Sequence, residues 1–287
     1  MYLVTVLGNL LIILAVISDS HLHTPMYFFL SKLSFTDICF TSSTVPKLIL
    51  NILTHSRVIS YLGCLTQMSL FILFGCMDYM LLTVMAYDRY VAICHPLHYA
   101  VIMNPQHCVF LLLLSIFVST LDSQVHSLVA LQIMCFKNVE ITSFFCDPSQ
   151  LLELSCSGTF VKNIVIYILS ILFGFIPMSG IIFSYYKIVS ALVKIPSSRG
   201  RYKAFSTCGS HLSVVCLFYG TGFGTYLGSI ASYSPWEGMV ATLMYAVVTP
   251  MLNPFIYSLR NRDILSTVKR LYLWKVQSQK ICHLFGR

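Results

Sequence analysis

Seven long apolar stretches alternate with short polar breaks, at roughly 1–18, 26–51, 65–91, 108–130, 160–191, 207–231 and 238–259. Most reach the ~20 residues that a helix needs to cross the hydrocarbon of a bilayer. The first is the shortest of them, barely one bilayer core in length. After the seventh, Ile264, Leu265, Val268, Leu271 and Leu273 alternate with Lys269 and Arg270. That pattern predicts a short helix over 262–274 lying on a membrane surface. No internal repeat is visible, so an inverted-repeat transporter gains no support. The expected architecture is an all-α membrane protein: one seven-transmembrane helix bundle over 1–287 with a short amphipathic C-terminal helix.

Composition strengthens this reading. The chain is 57% hydrophobic and 10% charged, with mean hydropathy +0.79, against about 25% charged in soluble domains. Its net charge of +8 could suggest nucleic acid, but the charges are placed otherwise. Lys187, Lys194, Arg199, Arg201 and Lys203 cluster between the fifth and sixth stretches, and seven of the 18 Lys and Arg follow the last one. This positive-inside asymmetry predicts a multi-pass plasma-membrane protein with a cytoplasmic C-terminus and, across seven spans, an extracellular N-terminus. No basic n-region of a cleavable signal and no Asn-x-Ser/Thr site occurs in the sequence. The bilayer is an expected partner; nucleic acid is not.

Charge inside a span is costly and raises a functional hypothesis. Asp37 lies in the second stretch and Asp78 in the third, with Asn9 in the first and Asn253 in the last. If these four converge, two carboxylates with amide oxygens suit a sodium ion or a shared proton; a purely structural polar core is the other reading. Asp88-Arg89-Tyr90 ends the third stretch, where an Arg can be held by an Asp in one state and released in another. Asn253-Pro254-x-x-Tyr257 combines a kink-permitting proline with a polar tip that can change partners. Asp122 and His126 are one turn apart and read as a local pair.

Eleven cysteines are present. Cys39, Cys76, Cys94, Cys108, Cys208 and Cys216 read as small buried hydrophobes. Cys64, Cys135, Cys146 and Cys156 fall opposite the basic loops, where disulfides can form. His21-x-His23 reads as polar loop. No catalytic triad order, phosphate-cradling glycine loop or zinc-ligand spacing is present, so an enzyme and a metal beyond possible sodium are not expected.

Five motifs carry a family resemblance. They are Leu22-His-Thr-Pro-Met-Tyr-Phe-Phe-Leu30, the run from Met85 through Asp88-Arg89-Tyr90 to Tyr99, Ser184-Tyr185, Lys203-Ala-Phe-Ser-Thr-Cys-Gly-Ser-His-Leu212, and Pro250 through Asn261. In this order the chain resembles the vertebrate odorant receptors, rhodopsin-like G-protein-coupled receptors, over essentially its whole length. The resemblance implies a receptor for a small volatile odorant, coupled to a stimulatory, cyclase-activating G protein of the olfactory type. It implies that Asp88 and Arg89 form a cytoplasmic lock, that Tyr185 and Tyr257 rearrange on opening, and that Tyr219 is a toggle at the pocket floor. Asn9, Asp37, Asp78 and Asn253 match the ion-linked polar core, with Asp78 where the family usually has Glu. The chain departs from the family pattern at Ile116 for Trp, in the Cys135-Phe136 order, at Ser143 for His, and in lacking the extracellular tail. A truncated, non-signalling receptor copy and a membrane transporter are the alternatives.

Four outward cysteines allow three pairings; Cys64 with Cys146 and Cys135 with Cys156 is the one expected. The outer third of the third span offers no carboxylate, which argues for a neutral, apolar ligand. Helical spacing sets Met68, Phe71, Ile72 and Gly75 on one stripe. Tyr219, Gly222, Phe223 and Tyr226 form a facing stripe, and Leu169 and Phe173 complete the wall. In this expectation Gly75 and Gly222 leave room beside large rings, and Tyr219 and Tyr226 supply polar handles. Such stripes are equally the ordinary core of a bundle.

Overall fold

The computed structural model describes residues 1–55, 58–133, 139–140, 159–194, 198–230, 240–260 and 263–270. Among them seven long helices follow one another: α1 (Tyr2–Ser18), α2 (Pro25–Thr54), α3 (Tyr61–Cys94), α4 (Pro105–Ile133), α5 (Thr159–Val193), α6 (Ser198–Ile230) and α7 (240–260). A short helix, α8 (263–270), comes last. By length and composition alone, Tyr61–Cys94, Pro105–Leu131, Ile171–Val193 and Val240–Ser258 can cross a membrane; α1 is an apolar helix of 17 residues.

The helices are turned inside out relative to those of a soluble protein. On α1 the exposed face is Leu3, Leu7, Leu10, Leu14 and Ile17, whereas the buried face includes Thr5 and Asn9 beside Ile12 and Ala15. The outer leucines need no protein partner in lipid, and polar and small residues join the apolar ones in contacts between helices. Helix starts follow local chemistry. Pro25 and Pro105 occupy first-turn positions where a missing amide proton is harmless. Asn104 caps α4 by accepting from the His107 amide at 2.8 Å, and Ser60 caps α3 through the Gly63 amide at 3.2 Å.

The central helix is α3, which packs against α2, α4, α5 and α6. Its 34 residues span about 51 Å at ~1.5 Å each, well beyond a ~30 Å hydrocarbon core. It therefore carries side chains from one end of the bundle to the other. α7 closes the ring against α1, α2 and α6. The main core holds Phe29, Phe40, Leu81, Leu82 and Phe218, all essentially without exposure. The one departure from an all-helical chain among the described residues is a two-residue antiparallel ladder, Val58–Ile59 against Val139–Glu140.

α8 is tied to the turn after α1. Asp19, 8% exposed, accepts from Thr267 Oγ1 at 2.7 Å, from the His21 amide at 3.1 Å and from Arg270. Tyr27 adds a hydroxyl contact to Asp263 at 3.2 Å. Ile264 and Thr267 are buried while Lys269 and Arg270 are exposed, so this segment is amphipathic as a surface helix requires. The Thr267 hydroxyl holds the Asp19 carboxyl below its ordinary value of 3.8 against the cost of burial, with smaller help from the His21 amide and the Arg270 charge. A depressed carboxyl contributes docking that is complete above the unfolded value and is lost as pH falls through the folded one. Amide protection of 263–270 should therefore be constant above about pH 4 and drop below it. In Asp19→Asn that acid-side step should vanish, as read by hydrogen exchange corrected for intrinsic rates.

Candidate functional site

The geometry of α7 sets the polar core. Pro250 and Pro254 lack the amide protons that would bond Ala246 O and Pro250 O one turn earlier. Side chains from other helices take both carbonyls. Thr41 Oγ1 donates to Ala246 O at 3.2 Å, and Asn9 Nδ2 donates to Pro250 O at 3.1 Å. Just before them the helix widens into a π turn, Met244–Val248, where Thr249 Oγ1 donates to Met244 O at 2.9 Å. Within hydrocarbon such carbonyls must be satisfied internally.

Three of the four expected polar-core residues gather on carboxylates or beside them. Asn253 Nδ2 lies 3.1 and 2.9 Å from the two oxygens of Asp37. Thr36 Oγ1 lies 2.5 Å from Asp78 Oδ1, and Asp37 follows Thr36 in α2. The fourth, Asn9, reaches the α7 backbone rather than a carboxylate. Asp37, Asp78 and Asn9 have no exposure at all, so Asp78 faces the bundle. Asn9 Oδ1, Asp78 Oδ2 and Asn253 Oδ1 are buried without a protein hydrogen-bond partner. These leftover atoms are oxygen acceptors, which fits a proton or a hard cation. Among the described residues no group of three or more His, Cys, Asp or Glu is placed to hold a metal.

At the far end of α3, Arg89 Nη2 lies 3.3 Å from Asp88 Oδ2 and Tyr99 donates to Asp88 Oδ1 at 2.7 Å. Tyr90 turns away, toward His95 Nε2 at 3.1 Å and the cluster of Ile188, Leu192 and Cys208. Tyr185 of α5 stacks on His211 of α6, with ring planes 12° apart. Its hydroxyl is 2.7 Å from His211 Nδ1, and His211 Nε2 is 3.0 Å from Leu82 O of α3. A carbonyl only accepts, so Nε2 carries the hydrogen; in the neutral ring Nδ1 then accepts from Tyr185. One buried imidazole thus ties α3, α5 and α6. His211 lies within the Lys203–Leu212 motif, but its role needs its rotational position, which the motif does not state. Tyr257 is 6% exposed, and its hydroxyl has no hydrogen-bond partner among the described residues.

The stripes expected to line a pocket separate. Met68 is buried against Cys64 and Ala130, with Ile72 beside it, toward α4. Phe71 and Gly75 turn toward α2 and α7: Phe71 is 4.9 Å from Phe40 by ring centroids and 6.1 Å from Tyr245. A Cβ on Gly75 would meet the Tyr245 hydroxyl at 3.1 Å, and one on Gly222 the Tyr79 hydroxyl at 2.7 Å. The space beside both glycines is therefore filled by tyrosines, not left open as the sequence suggested. Tyr219 packs on Tyr79 at 4.9 Å, and its buried hydroxyl forms no well-shaped hydrogen bond. Phe223 meets Phe175 of α5 at 5.6 Å, while Leu169 and Phe173 are half-buried. The Tyr226 side chain lies outside the described residues.

Cys64 is disulfide-bonded; Cys135, Cys146 and Cys156 lie outside the described residues. Asp122 and His126 do pair, 3.0 Å apart and both buried.

A buried polar crossing with a proline-containing, π-widened seventh helix, an Asp-Arg pair ending the third and a tyrosine–histidine tie among the third, fifth and sixth define a rhodopsin-like seven-helix receptor. The crystal structure of squid rhodopsin matches with a TM-score of 0.74 at 18% identity, covering 96% of this chain and 83% of that one, which speaks for the fold. A family model described as olfactory receptor matches residues 1–275. Olfactory receptor 7E24 of Homo sapiens is 70% identical over 272 residues, 95% of this chain and 80% of that protein. Olfactory receptor 7E178 of Mus musculus is 66% identical over 271 residues, covering 94% and 82%. The chain belongs to the olfactory receptor family, a family of signalling receptors and not of enzymes.

An unpartnered buried hydroxyl costs about 1–3 kcal/mol. Tyr257→Phe should therefore leave the melting temperature of the unliganded receptor equal or higher, while lowering agonist-stimulated signalling if the hydroxyl finds its partner in the other state. A melting temperature several degrees lower would mean that the hydroxyl is already satisfied.

Proposed function

We propose that this receptor binds small, mostly apolar volatile ligands within the helix bundle and activates a stimulatory, adenylyl-cyclase-coupled G protein. The basic loop between α5 and α6 and the basic C-terminal segment face the cytoplasm, with the N-terminus outside. The observation that carries the reading is the His211 tie. Tyr185, His211 and Leu82 join three helices at the end that holds Asp88 and Arg89. Outward movement of α6 breaks both His211 bonds together and frees Tyr185 to take a new partner near Arg89, which is how a bistable interface transmits a small shift.

The leftover acceptors around Asp78 and Asn253 support a second element, a sodium ion or a proton held between Asp37 and Asp78. Two uncompensated charges at that depth would cost several kcal/mol each. The ion favours whichever state holds the acceptors together, so it biases basal signalling.

Cyclic AMP should rise in cells expressing the chain, with or without an added N-terminal extension, for at least one member of a broad odorant panel. Arg89→Ala should abolish that rise at unchanged surface level. A flat response from surface-displayed receptor across the panel would reject the reading. Asp37→Asn should alter basal or sodium-dependent signalling more than surface level; equal effects on both would remove the ion from the account.

A further inference from the structure

The middle of the bundle contains two phenols that the function described so far does not use. Tyr79 follows Asp78 on α3, and Tyr245 sits on the π turn of α7. Their hydroxyls are hydrogen-bond partners, and either can be the donor. Both rings are gripped by aromatics. Tyr245 packs on Phe40 at 5.3 Å and Phe218 at 5.1 Å; Tyr79 packs on Phe218 and Tyr219 at 4.9 Å each. The extra residue of the π turn changes which way the side chains beyond it point, and such turns recur at functional sites.

The two glycines fit this pair closely. The Tyr79 hydroxyl lies 2.7 Å from the place a Cβ would take on Gly222, and the Tyr245 ring 3.4 Å from it. On the other side the Tyr245 hydroxyl lies 3.1 Å from the Cβ place of Gly75. Any larger residue at 222 would push into the Tyr79 hydroxyl. Yet Tyr79, Gly222, Phe71 and Phe223 remain only half-buried, so the cluster is not sealed on every side.

Two phenols carry two protons, and one is spent between them. The other proton is left over among aromatic rings. We propose that the Tyr79–Tyr245 pair is the hydrogen-bonding handle of the ligand site, selecting neutral ligands with an acceptor oxygen such as ketones, aldehydes and esters. This rests on the reading that small apolar ligands bind within the bundle, and it moves the polar contact from Tyr219 and Tyr226 to this pair. The chemistry disfavours anionic ligands. Phe40, Phe71, Gly75, Phe218, Tyr219 and Gly222 around the pair carry no charge, and the buried, unpartnered Oδ2 of the adjoining Asp78 repels an anion. An acceptor oxygen draws the spare proton, and the aromatic edges take the hydrocarbon tail.

The test uses purified full-length receptor in lipid nanodiscs, with 2-octanone, n-nonane and octanoate titrated by thermal shift. Wild type should bind 2-octanone, and octanoate much more weakly. Tyr79→Phe and Tyr245→Phe keep the rings and remove one oxygen each. Each should weaken 2-octanone roughly 3- to 10-fold, the worth of one neutral hydrogen bond, and leave n-nonane within about 2-fold. Gly222→Ala should weaken the ketone in wild type but have little effect in Tyr79→Phe, because the hydroxyl it collides with is gone. Equal shifts for ketone and alkane, no shift in either tyrosine variant, or no ketone binding by wild type would each overturn the proposal. Cyclic AMP responses to a broad panel that persist beside any of those results would leave the odorant reading intact while removing the handle.

Discussion

A carbonyl that loses its amide partner inside hydrocarbon cannot turn to water, and this constraint organises the bundle. Pro250 and Pro254 free two carbonyls on α7, and the π turn loosens the helix just before them. Asn9 and Thr41 answer from α1 and α2. Those two bonds hold α7 against its neighbours at the height where Asn253 meets Asp37. Irregular backbone at membrane depth is tolerated because it is buried in protein with such partners. The packing of α7 and the polar core beside it both rest on these satisfied carbonyls.

The spaces inside the bundle follow from a second constraint, close packing. Interiors are filled about as densely as organic crystals, so a glycine facing inward generally marks a neighbour that has moved in. At Gly75 and Gly222 the neighbours are phenol oxygens, which are small, polar and able to donate. Aromatic rings around them take edge-to-face positions near 5 Å, the geometry their quadrupoles favour. The same filling that removes empty volume brings two hydroxyls to the centre of an otherwise apolar region.

What could be read from the sequence divides along these lines. The helices are legible because hydropathy over ~20 residues is a strong signal, and Asp37, Asp78 and Asn253 stand out because charge and amide are rare there. Their partners are less legible. Thr36 and Thr41 look like any threonine in a helix, and His211 looks like one letter of a motif. Each acts through its rotation about a helix axis, which depends on where α2 or α6 settles against α3. The pocket stripes show the same limit. Met68 and Phe71, three residues apart, share one face by helical spacing, yet Met68 turns to α4 and Phe71 to Phe40. Crowding by helices on both sides of α3 leaves no single inward face for spacing alone to find.

The bond from Asn9 to Pro250 also bears on how the molecule is made. Its two ends are 241 residues apart, on α1 and α7. Until α7 arrives, the Asn9 amide lacks the acceptor on the far side of the ring. Helices inserted in order can pair with their neighbours as they come, α1 with α2 and α2 with α3, but the ring cannot shut before the seventh is in place. During that interval Asn9, Asp37 and Thr41 lack the α7 partners that they hold in the closed bundle. Long-range closure of this kind makes the final helix a checkpoint on all that precede it.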